Sequence, residues 1–87
     1  MASDRKRRRG VVDLVEYLAH ILNCAYESDL HYLRLTPEQA ALIARIDETR
    51  FTPRQFEQAA QYMLNCEESF PDAAQAKRAM IERASRR

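Results

Sequence analysis

Residues 11–26, VVDLVEYLAHILNCAY, form the most apolar run in the chain, and their reading decides the fold. At the helical step of about 100° per residue, an apolar arc runs from Tyr17 through Ile21, Leu14, Ala25, Leu18, Val11, Leu22, Val15, Tyr26 and Ala19 to Val12. It covers more than half of the circumference, whereas a helix lying on a surface needs a stripe of only about 100° or a little more. The stretch therefore predicts a central first helix, contacted on two sides by the others. Its polar arc holds Glu16, His20, Asp13 and Asn23, with Cys24 at the edge.

Outward from this helix, the next segment, residues 27–35 (ESDLHYLRL), begins with turn formers and reads as a connector containing one helical turn. Leu30, Tyr32 or Leu33, and Leu35 are its expected anchors. Two helix starts then resemble each other: Leu35-Thr36-Pro37-Glu38-Gln39 and Phe51-Thr52-Pro53-Arg54-Gln55. In each, the Thr hydroxyl can cap the helix, Pro takes the first helical position where no N–H is needed, and Gln can reach back to the cap. Phe51 and Phe56 also have the spacing of a hydrophobic staple. These starts predict a second helix over residues 37–48 and a third over 53–66. Ser69-Phe70-Pro71-Asp72 breaks and restarts the chain, with Asp72 or Ser69 capping a fourth helix over 73–84. Ala73, Ala76, Met80 and Ala84 make the weak apolar stripe of that helix. The expectation is an all-α protein, a compact bundle of about four short helices.

Eighty-seven residues make one domain, below the usual size of about 100–150. One glycine and three prolines argue against an all-β chain rich in turns. Net charge is near neutral but uneven. Arg5, Lys6, Arg7, Arg8 and Arg9 crowd one end, and Lys77, Arg78, Arg83, Arg86 and Arg87 the other. Between them, from Gly10 to Ala76, stand eleven acidic residues and only four basic ones, Arg34, Arg45, Arg50 and Arg54. Residues 1–10 are accordingly expected to form a flexible basic arm, and residues 11–85 a single helical domain. Asp13, Glu16 and His20 interrupt any signal-peptide core, and no apolar run reaches the ~20 residues that span a bilayer. A cytoplasmic location is expected, with no membrane contact. Cys24 and Cys66, each following a Leu-Asn pair, suit a reducing compartment.

No motif for catalysis accompanies these elements. The single glycine excludes a Gly-rich phosphate loop. His20 beside Glu16 or Cys24 is the only local base–nucleophile grouping, and Glu and His four apart on a polar arc are commonly a surface pair. His20, Cys24, His31 and Cys66 lack the paired spacing of zinc ligands. The protein is therefore read as no enzyme, with no cofactor and no metal.

Two binding functions remain. An acidic body, a broad apolar helix and four tyrosines suit docking on another protein or on a second copy of the chain. Tyr17, Tyr26 and Tyr32 are the candidate docking residues, and a small regulatory or adaptor protein that binds a protein partner through helix surfaces is the preferred function. The alternative is a DNA-binding regulator with a helix-turn-helix-like unit over residues 37–66. There Arg54, Gln58, Gln61 and Asn65 would face base edges and the basic arm, Arg5 to Arg9, would meet the minor groove. Asp47, Glu48 and Glu57 oppose this alternative, because they lie where phosphates would approach.

Overall fold

The computed structural model describes residues 13–87. Four α-helices and one 3-10 turn follow in the order α1 (Leu14–Ile21), the turn Glu27–His31, α2 (Pro37–Ala44), α3 (Pro53–Leu64) and α4 (Ala73–Ser85). Among the described residues there is no strand. The expected all-α bundle of short helices is therefore the observed fold. The expected basic arm and the expected beginning of the first helix at Val11 lie outside the described residues.

Three helix starts follow from local chemistry. Gln39 and Gln55 donate their backbone N–H to the Thr36 and Thr52 hydroxyls at 3.1 Å in each case. Their side-chain oxygens accept from the Thr36 and Thr52 N–H at 3.0 and 2.9 Å, completing two capping boxes. The Phe51 and Phe56 rings meet edge to face at 6.0 Å, as the staple spacing predicts. At α4 the Gln75 N–H donates to the Asp72 carboxylate at 2.8 Å, so Asp72 and not Ser69 is the cap.

Both helix ends that carry a Leu-Asn-Cys triplet share one geometry. Asn23 and Asn65 take left-handed φ values of 60° and 52°, a conformation that asparagine tolerates better than most residues. After α1, the Cys24 N–H donates to the Ala19 carbonyl at 2.8 Å and the Asn23 N–H to His20 at 3.1 Å. After α3, Cys66 donates to Gln61 at 3.1 Å and Asn65 to Tyr62 at 3.3 Å. This pair of reversed bonds is the Schellman motif, which satisfies the last carbonyls and stops the helix. The first helix therefore ends at Ile21 and not at Tyr26, which stands 72% exposed beyond it.

The second helix is also shorter than expected, ending at Ala44 instead of Glu48. The Asp47 carboxylate accepts from both the backbone N–H and the hydroxyl of Thr49, at 2.9 and 2.7 Å. That local turn competes with helix continuation. Lys77 of α4, only 8% exposed, donates from Nζ to the carbonyls of Ala44 and Ile46 at 3.0 and 2.9 Å. It also pairs with the Glu48 carboxylate at 3.1 Å. A cation at a helix C-terminus is favourable by both hydrogen bonding and dipole.

Packing places α3 at the centre. It makes its most extensive contact with α4 and also meets α1 and the 3-10 turn, while α2 leans on α4. The first helix was expected to hold that place. It does touch two elements, α3 and the turn, and it buries Leu14 and Leu18 completely. Its short length limits it to that share. Leu30, Ile43, Phe56, Met63 and Met80 complete the fully buried large side chains. The α4 stripe of Ala73, Ala76, Met80 and Ala84 is buried as its spacing predicts. Four long-range bonds close the bundle: the Leu35 N–H donates to the Ala84 carbonyl at 3.0 Å, and the Arg87 guanidinium donates to the carbonyls of Leu30 and Leu33 at 2.7 and 2.8 Å and to that of Met63.

Candidate functional site

The α2–α3 connector, residues 45–52, is a run of turns anchored by the Lys77 bonds to the Ala44 and Ile46 carbonyls at one end and by the Phe51–Phe56 contact at the other. Between connector and helix lies a groove of about 290 Å³, lined by Tyr17, Ile21, Leu42, Arg45, Ile46, Asp47, Arg50 and Phe51. Its apolar part comes from Tyr17 and Ile21 of α1, Leu42 of α2, and Ile46 and Phe51 of the connector. Tyr17 and Ile21 are half-buried, and Leu42 is 37% exposed on the outer side of α2. The Tyr17 ring packs on Phe51 at 5.6 Å, and the Arg50 guanidinium stands 5.9 Å from the Tyr17 ring centre, within reach of a cation–π attraction.

Charge at this groove departs from that of the body. Arg45, Arg50 and Arg54, three of the body's four arginines, are all exposed along the connector and the first turn of α3. Among the described residues none of them is in an ion pair. The neighbouring acids are engaged: Glu48 with Lys77, and Asp47 with Thr49. The Thr49 backbone and hydroxyl bonds hold the Asp47 carboxyl below the usual carboxylate range, with Arg50 and Lys77 adding smaller pulls. Arg54 sits in the first turn of α3, where a cation opposes the helix dipole and gains nothing from it.

The structure divides the residues proposed for base recognition. Arg54 and Gln58 are exposed on α3. Gln61 is occupied, its amide donating to the Glu68 carbonyl at 2.9 Å, and Asn65 is the left-handed terminator of α3. Glu57, on the same face, accepts from the Ser69 hydroxyl at 3.2 Å and the Phe70 N–H at 3.0 Å. Much of this amide-rich face thus holds the 65–72 connector in place. With α2 ending at Ala44 and packing on α4, residues 37–66 do not form the tight two-helix corner of a helix-turn-helix. Arg5, Lys6, Arg7, Arg8 and Arg9 lie outside the described residues.

Of the three candidate docking tyrosines, Tyr17 lines the groove. Tyr26 and Tyr32 flank the 3-10 turn, 72% and 80% exposed, and neither lines it. Leu42, Arg45 and Arg50 are the groove residues that sequence reasoning missed. A signal existed, in that three of the body's four arginines fall between positions 45 and 54.

His31 stacks on Tyr62 at 4.4 Å, with its Nδ1 buried and unpartnered, while His20 is exposed on α1. Burial, and secondarily Asp29, pushes the Cys24 thiol up from its ordinary pKa. Among the described residues no group of three His, Cys, Asp or Glu is placed to hold a metal ion, and no helix is long and apolar enough to cross a membrane.

The fold and its groove define a small all-α bundle with an apolar, arginine-edged cleft on one side. Comparison of the chain with protein-family models, with curated proteins and with solved structures finds no match.

Proposed function

We propose that this protein is a small non-enzymatic adaptor or regulator that works by docking another protein at the groove between α1 and the 45–52 connector. The observation that carries the reading is the groove itself, where Leu42, Tyr17 and Ile21 offer apolar surface beside Arg45 and Arg50, which form no ion pair among the described residues. Tyr and Arg are over-represented among residues that dominate protein–protein affinity. At about 290 Å³ the groove is at the small end for ligand pockets. It suits one or two inserted side chains better than a cofactor.

A second reading, a DNA-binding regulator, draws on the exposed Arg54 and Gln58 and on the basic ends of the chain. It is the weaker of the two because Gln61 and Asn65 serve the fold. The two readings separate by affinity capture with the wild type, Leu42→Asp and Gln58→Ala in parallel. Protein docking at the groove predicts a protein retained by the wild type and by Gln58→Ala and lost with Leu42→Asp. Equal capture by all three, or recovery of nucleic acid alone, contradicts it.

A further inference from the structure

Resting on the docking reading above, we propose that the groove's partner is an acidic segment of another protein, seated by one apolar side chain and held by carboxylates. The apolar side chain lies against Tyr17, Ile21 and Leu42, and the carboxylates face Arg45 and Arg50.

Charge complementarity carries the inference. Over the described residues 13–87, twelve acids stand against nine Lys and Arg, so the folded body is mildly acidic. At the groove that balance is locally reversed, because two arginines, Arg45 and Arg50, line it against one acid, Asp47. Its single lining acid, Asp47, is already bonded to Thr49, which leaves its carboxylate less disposed to compete for the arginines. Arginine presents a planar fork of donors that matches a carboxylate through two parallel bonds. The Arg50 guanidinium is held near the Tyr17 ring, so less freedom is lost when it binds. A basic or neutral apolar segment would leave Arg45 and Arg50 with Asp47 as the one acid lining the groove beside them.

A random peptide library displayed on phage, selected on the full-length protein, tests this. Enriched peptides should carry one large apolar or aromatic residue next to at least two Asp or Glu. Their affinity should fall about tenfold on Arg45→Gln/Arg50→Gln, as loss of charge-assisted bonds predicts. It should fall further on Leu42→Asp, a change at an exposed position that leaves the core intact. Circular dichroism confirms that each variant folds. Neutral or basic peptides that depend on Leu42 but ignore both arginines would overturn the acidic partner while leaving groove docking in place. Peptides indifferent to Leu42 would overturn both. A dimer in sedimentation that Leu42→Asp dissociates would give the groove to a second copy of the chain and overturn the inference as well.

Discussion

The ammonium of Lys77 on α4 donates to the backbone carbonyl of Ile46, 2.9 Å away and thirty-one residues earlier in the chain. With its second bond to Ala44, it ends α2 and sets the path of the connector that forms one wall of the groove. Replacing it with Met keeps the buried stem and removes the donor. Lys77→Met is expected to cost about 2 kcal/mol, the range for hydrogen bonds to a charged group. Glu48→Gln should cost under about 1 kcal/mol, since that carboxylate is half-exposed. Urea unfolding of the two variants checks the difference, and equal costs would contradict it.

The two capping boxes make a matched pair. Thr36→Ala and Thr52→Ala should each cost about 1 kcal/mol, and the Ser variants far less. The glutamines differ, because Gln39 also donates from its amide to the Leu22 carbonyl at 3.4 Å and so ties α2 to the end of α1. Gln39→Ala should therefore destabilise more than Gln55→Ala, measured by thermal unfolding under one buffer.

Phe56 is fully buried on α3 and stapled by Phe51. Truncation to Ala is expected to cost about 3–5 kcal/mol. A chain of this size has a total stability on the order of 4–13 kcal/mol. Phe56→Ala should consequently lose a large share of its helical circular dichroism at 37 °C, while Leu42→Ala keeps it.

Acid should weaken the fold through two named carboxyls. Thr49 bonds hold Asp47 low, and the Arg83 guanidinium holds Glu68 low. A carboxyl depressed in the folded state contributes stability that is complete above its unfolded pKa and lost as pH falls through its folded value. Midpoints in urea should drop below about pH 4, the ordinary carboxylate range. Asp47→Asn and Glu68→Gln should lie below the wild type at pH 7 and converge on it at pH 2. Curves that stay parallel across that span would contradict the assignment.

The Cys24 thiol, pushed up by burial and by Asp29, should react with a disulfide reagent at pH 7.5 more slowly than an unstructured cysteine peptide. A Cys66→Ser background isolates it, and denaturant should remove the difference.

Local chemistry was legible from the sequence, and long-range chemistry was not. Thr36, Thr52 and Asp72 bond to residues three positions away, so their spacing announces them. The spacing of the α4 alanines likewise shows the buried face. The first helix was overrun because its apolar arc continues to Tyr26, while the left-handed Asn23 ends the helix regardless of which face is apolar. The repeated Leu-Asn-Cys triplet was the available sign. The end of α2 depends on Lys77 in a different helix, and nothing near Ala44 shows it except the Asp47–Thr49 turn. At the candidate site, Tyr17 was readable as part of the broad apolar helix. Leu42 stands one helical step of about 100° from the buried Ile43, which puts it at the edge of the buried face and beside the groove.

The most direct test of the docking groove is site-specific photo-cross-linking in cells that make the protein, with a photoreactive phenylalanine analogue at position 42 in one strain and at position 58 in another. The groove account predicts a discrete protein adduct from position 42 and none from position 58. A nucleic-acid adduct, or a protein adduct from position 58 alone, would contradict it.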